Sequence, residues 1–296
     1  MPMGLKKSDR ELKAIENQER REKEKVGEMS FLDHLEELRW HIIRSLIAIV
    51  VLAIFAFIIQ DFIFHEIIFK PKSPDFWTNR MFSRLAEFLG SDALRINQKE
   101  IELINIKLPG QFNMSMWTAM VAGLILAAPV VFWEFWKFIK PALYENEKKV
   151  ATGAVFYTTF LFIVGILFGY YLIVPLSIEF FGNYSISPDV SNQINITSYI
   201  SIVVSIVFAS GVVFLLPVFS YSLSRVGLLT PGFMRTYRKH AIVLLFLLSA
   251  IITPPDIFSQ ILVAVPLLLL YELSILISGR VVRKMEKKTK MAAGVS

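Results

Sequence analysis

The chain contains no cysteine, so neither a disulfide framework nor a thiolate metal or redox site is open to it. Its four histidines are scattered without metal-ligand spacing, and no glycine-rich loop of the phosphate-cradling kind occurs. No secretory leader is expected either. Residues 6–28 mix both charge signs and hold no apolar stretch, so Arg20-Arg21 are not part of an export signal. Residues 1–28 read instead as a charged cytosolic tail, disordered or loosely helical through Glu–Lys neighbours. Lys and Arg are absent from residues 182–196 and from the turn at Pro254-Pro255.

What the sequence has in abundance is apolar surface. Of 296 residues 54% are hydrophobic, 25 of them Phe, and they are bunched into nearly charge-free runs. A soluble domain distributes such residues at period 2 or 3.6, whereas long runs suit lipid. Six spans are expected, at about 42–59, 115–139, 151–175, 197–223, 240–252 and 257–278. Together they place an all-α, polytopic membrane domain at 29–279. Arg44 sits where the first span begins and can snorkel. The second span ends in Phe132, Trp133, Phe135, Trp136 and Phe138, which read as an interfacial belt. Pro217 kinks the fourth span. The fifth is short, and Thr253-Pro254-Pro255-Asp256 joins it to the sixth, so the last two spans form a tight helical hairpin.

The formal charge of +6 follows from membrane orientation and implies no nucleic-acid partner. Lys and Arg crowd the 140–150 and 224–240 loops and the basic tail at 280–296, which places those segments and both termini in the cytoplasm. The Lys- and Arg-free segments face outward. Residues 61–114 lie outside too, their seven basic residues balanced by seven acids.

Acids on the inner side are not explained by orientation. Ser30-Phe31-Leu32-Asp33 is a capping box opening a helix, with Asp33 and Glu37 one turn apart and Glu36 beside them. Glu145 and Glu147 follow Pro141-Ala142-Leu143-Tyr144. These clusters are either solvated juxtamembrane faces or two halves of a site for a ligand carrying two guanidinium groups. A rival reading makes Glu134, Glu179 and Glu272 the path of a solute or ion transporter, although they fall near span ends rather than at one depth.

The stretch Phe31-Leu32-Asp33-His34-Leu35-Glu36-Glu37-Leu38-Arg39 resembles the N-terminal signature of the TatC family, the multi-spanning receptors of twin-arginine protein translocases. The resemblance continues through Pro129 and the run Phe135-Trp136-Lys137-Phe138-Ile139-Lys140-Pro141-Ala142-Leu143-Tyr144-Glu145-Asn146-Glu147-Lys148. It returns in Thr253-Pro254-Pro255-Asp256-Ile257-Phe258-Ser259-Gln260 and Pro266-Leu267-Leu268-Leu269-Leu270-Tyr271-Glu272. It implies a curved, glove-like wall of six helices in a prokaryotic inner membrane. It further implies a non-enzymatic receptor with no cofactor, driven by the proton-motive force and working in an oligomeric complex with single-span subunits of TatA and TatB type. The ligand implied is the paired-arginine signal peptide of a folded preprotein. Its site would include Glu37, Glu147, Arg39, Phe138 and Pro141, with Asp33 nearby. Pro71, Asp256, Gln260 and Glu272 match positions of structural or partner-contact character. One departure stands out: where the family commonly carries Glu or Gln two residues before the fourth-span proline, this chain has Leu215. Glu134 is the substitute polar group for partner contact, unless it simply pairs with Lys137.

Overall fold

The computed structural model describes residues 35–90, 95–98, 101–139, 148–189, 192–225, 227–253 and 257–292. Five of its helices are long and apolar enough to cross a membrane. The first, α1 (Leu35–Ile58), is followed by a wound segment at Ile63–Ile68, by Pro71 and by α2 (Trp77–Leu89). The second span is α3 (Gly110–Ile139). Next come α4 (Lys148–Phe168) and, through a π-turn, α5 (Val174–Asn183), which together form one span of Gly153–Asn183. The fourth span divides into α6 (Ile196–Val213) and α7 (Leu216–Arg225). A short α8 (Pro231–Thr236) leads to α9 (Arg238–Ile252), and α10 (Ile257–Ala292) closes the chain. A two-residue parallel pair, β1 (Leu103–Ile104) with β2 (Ile194–Asn195), ties two loops together. Because successive spans reverse direction, α1 begins and α3 ends on one side, the tail side, while the described residues between 59 and 110 occupy the other, the loop side. The protein is a helical polytopic membrane protein.

Of the six expected spans, α9 is the one below spanning length, as the hairpin reading requires. Its 15 residues cover about 22 Å. Two differences from the sequence reading concern ends. Helix α10 does not stop near residue 278 but runs to Ala292, because Arg283, Lys284, Glu286 and Lys287 are strong helix formers with no breaker among them. The loop 61–114 contains an unanticipated helix, α2. Pro217 acts as expected. It has no N–H for the carbonyl four residues back, and the helix breaks at Phe214–Leu215, where Leu215 N–H bonds Val212 in a tighter turn.

Proline also organises the loop side. Pro71 and Pro175 each deny an N–H to a carbonyl one turn earlier, those of Ile67 and Tyr171, and each follows a π-wound turn. Side chains from elsewhere fill the gaps: the Tyr170 hydroxyl donates to Ile67 O at 2.9 Å, and the Thr78 hydroxyl donates to Tyr171 O. The adjacent Ile68 carbonyl accepts from Tyr199 at 2.8 Å. Asn79 Nδ2 donates to the carbonyls of Pro71 and Ser73. Buried Asn97, at φ +50° where Asn is tolerated, gives its N–H to Glu179 and its Nδ2 to Pro175 O at 3.0 Å. These carbonyls gain side-chain partners, and the bonds knit the wound segment, α2, Asn97, the π-turn with α5, and α6 into one cap.

Inside the membrane domain, small residues let helices meet closely. A Cβ on Gly123 would lie 2.5 Å from the Ala53 backbone, so glycine is required where α1 crosses α3. Gly165 and Gly211 play the same part between α4 and α6, a Gly165 Cβ falling 2.6 Å from Ser210 O. Buried serines line the α7–α10 contact, where the Ser224 and Ser278 hydroxyls bond at 2.7 Å. In the final hairpin, Gln260 Nε2 donates to Phe246 O at 3.3 Å.

Candidate functional site at the tail side

The start of α1 and the end of α3 meet at a buried polar contact. His41 Nδ1 lies 2.5 Å from Glu134 Oε2, with His41 8% and Glu134 6% exposed. Lys137 Nζ reaches Glu134 Oε1 at 3.3 Å, and the half-exposed Arg44 comes within 3.8 Å of Oε2. A carboxylate held in a span needs this kind of partner set, since leaving it unpaired costs several kcal/mol (about 1–3 per lost bond). Sequence spacing alone offers Lys137 as a partner of Glu134; it does not reveal His41, whose only signal is a polar residue at the span's edge, one turn after Glu37.

Aromatic residues then fix the end of α3. The expectation of a five-residue interfacial belt is corrected. Phe132 and Trp136, one turn apart, point inward: Phe132 packs edge-on against Phe162 at 5.5 Å, and Trp136 is 3% exposed. Trp136 Nε1 donates to Thr158 Oγ1 at 3.1 Å on α4, and its ring meets Tyr221 on α7. Trp133 and Phe135 remain outward-facing, Trp133 with Lys137 Nζ 5.5 Å above its ring. Phe138 packs edge-on to His41, ring centroids 6.2 Å apart.

This arrangement presents Glu37 and Arg39 as exposed side chains on the first turns of α1. Glu37 lies four residues before His41 and so shares its helix face, directly outside the His41–Glu134 contact. Phe138 joins the same surface through His41. Asp33, Pro141 and Glu147 lie outside the described residues, as does Asp256. Other residues singled out by sequence are elsewhere. Pro71 is buried at the opposite end of α1, where its carbonyl accepts from Asn79. Gln260 staples the final hairpin, and Glu272 pairs with Arg238 between α10 and α9. Leu215 is 7% exposed, packed with Ala128 and Phe162, so it offers no free surface to a partner span. The three carboxylates of the transporter reading do not converge: Glu134 serves α1, Glu179 serves the loop-side cap and Glu272 serves the hairpin.

The comparisons agree with this architecture. The family model for the Sec-independent protein translocase protein (TatC) matches residues 33–266. A Sec-independent protein translocase protein TatC from Blattabacterium sp. subsp. Periplaneta americana is 40% identical over 264 residues, 88% of this chain and 99% of that protein. The TatC of Aquifex aeolicus is 32% identical over 263 residues, 88% of this chain and all of that protein. Among solved structures, a crystal structure of the twin arginine translocase receptor TatC superposes with a TM-score of 0.64 at 31% identity, covering 83% of this chain and 99% of that one. With five spanning helices and a short final hairpin helix, and with relatives and a family model that match most of its length, the chain belongs to the TatC family of Sec-independent protein translocase components.

Proposed function

We propose that this translocase component is the receptor for paired-arginine signal peptides, with its tail side in the cytoplasm of a prokaryotic cell and the loop side outside the inner membrane. The observation that supports it most directly is the exposed Glu37 carboxylate, set on a helix face immobilised by the His41–Glu134 contact. A receptor carboxylate gains from such a fixed base, because less side-chain and backbone freedom is lost when a guanidinium docks. Glu37 engages one arginine and Glu147, which follows α3 in the sequence, the other; Phe138 and Pro141 contact the flanking apolar part of the signal. Asp33, four residues before Glu37 in the sequence, adds negative charge, and Arg39 on α1 repels misplaced cations. The proton-motive force and single-span subunits of TatA and TatB type complete transport in an oligomeric complex that uses no cofactor.

Hydrogen bonds to charged groups contribute about 1.5–3 kcal/mol each. Two docked arginines therefore supply about 3–6 kcal/mol, short of the ~8 kcal/mol of micromolar binding, so the apolar part of the signal adds the remainder. The test is a titration of purified protein in detergent with a signal peptide carrying Arg-Arg and with its Lys-Lys counterpart. Binding that is lost with Lys-Lys and with the Glu37→Ala, Glu147→Ala variant supports the reading. Equal affinity of parent and double variant for the Arg-Arg peptide places the site elsewhere.

A further inference from the structure

Helix α2 carries more apolar surface than the fold buries. Phe82 and Ala86 turn inward with Thr78 and Asn79. A second stripe runs beside them through Trp77, Met81, Leu85 and Phe88, with exposures of 58%, 40%, 42% and 87%, and Leu89 flanks it at 58%. Steps of three and four residues keep these side chains on one line of the helix. Arg80 and Arg84, both exposed, border the stripe on its other edge, and neither has an ion-pair partner among the described residues.

The stripe is continuous with the surface that a span shows to lipid. Along α4 the outward residues are Phe156, Phe160, Ile163 and Leu167, and the line continues to Tyr171 in the π-turn. Trp77 packs edge-on against Tyr171 with ring centroids 6.0 Å apart, and Phe76 stacks on the same ring at 5.5 Å. Trp and Tyr gathered at the end of a lipid-facing line mark the headgroup level, where amphipathic rings settle. From there the apolar line passes directly onto α2.

We propose that α2 is a lipid-binding interfacial helix: its Trp77–Met81–Leu85–Phe88 stripe enters the acyl boundary of the loop-side leaflet, and Arg80 and Arg84 contact lipid phosphates. A helix with one apolar edge, flanking arginines and a ring cluster at its base has the composition of an in-plane membrane anchor. The occupant is the bilayer itself rather than a second protein, because the stripe extends a surface already turned to acyl chains. Arginine beside it complements anionic headgroups. This anchoring holds the loop-side cap against the membrane, independently of what the tail side binds.

The absence of native cysteine makes the test direct. Met81→Cys, Leu85→Cys and Phe88→Cys, with Ser83→Cys and Glu87→Cys as references, are each given a nitroxide label in the full chain. They are reconstituted in vesicles of phosphatidylcholine, alone or mixed with phosphatidylglycerol. The first three sites are expected to be several-fold more accessible to oxygen, relative to a water-soluble nickel chelate, than the two references. Anionic lipid should widen that difference, and the Arg80→Gln, Arg84→Gln background should cancel the widening. Equal accessibility at all five sites overturns the proposal. So does low oxygen accessibility with spin–spin broadening at 81, 85 and 88, which would show a second copy covering the face. Widening that survives the arginine substitutions removes the phosphate contact from it.

Discussion

His41 and Glu134, 93 positions apart in the chain, share a hydrogen bond at 2.5 Å inside the membrane domain and join the first span to the second at its tail-side end. Each alone would be a costly group in a span. Together, with Lys137 at 3.3 Å, they form a contact whose removal exposes the other partner's need for a hydrogen bond.

His41→Ala should therefore lower stability by about 1–3 kcal/mol, and Glu134→Ala by a similar amount. In the double variant neither group is left unpaired, so the combined loss should fall short of the sum. Thermal unfolding of the four proteins in one detergent measures this, and strict additivity would show that the two side chains are not coupled. Glu134→Gln, which keeps an acceptor oxygen, should cost less than Glu134→Ala.

Glu37 is exposed, so its replacement should spare stability and act on binding. Glu37→Gln is expected to weaken the Arg-Arg peptide by about 1.5–3 kcal/mol, roughly ten- to 150-fold in Kd. Glu37→Lys should be worse through repulsion. Comparison with His41→Ala is informative: if His41 positions Glu37 by fixing α1, its loss should weaken the peptide by a smaller factor, and its effect should shrink in a Glu37→Gln background.

The proline-released carbonyls make a separate prediction. Tyr170→Phe removes the donor to Ile67 O, and Thr78→Val the donor to Tyr171 O. Each should destabilise the protein by about 0.5–1.5 kcal/mol, Thr78→Val more than Tyr170→Phe, because the bond to Tyr171 O is partly buried whereas the one to Ile67 O is exposed. Unchanged melting of both variants would mean that other donors satisfy those carbonyls.

Orientation can be read with an impermeant thiol reagent on intact cells. Single cysteines at 105 and 192 should label, and those at 146 and 236 should not. The opposite pattern would invert the proposed topology and remove the tail side from contact with cytoplasmic signals.

Gly123 tests the close crossing of α1 and α3. With the Ala53 backbone 2.5 Å from where its Cβ would stand, Gly123→Ala must push the helices apart. A loss of about 1–3 kcal/mol is expected, measured by thermal unfolding. A variant as stable as the parent would show that the crossing has slack.

The sequence by itself determined the membrane character, the segment count, the short final hairpin and the break before Pro217. Those are local properties: insertion depends on apolar length and proline acts on its own turn. Local pattern also marked Glu37 as an acid exposed near a span end. Tertiary structure decided which polar groups find one another. That Glu134 answers His41, that Trp136 turns inward to Thr158, that Tyr170 and Thr78 supply the hydrogens proline withholds, and that Leu215 is enclosed by Ala128 and Phe162 all depend on helices distant in sequence. Residue type states only that a buried carboxylate or carbonyl requires a partner; the packing of the wall decides which one arrives within hydrogen-bond reach.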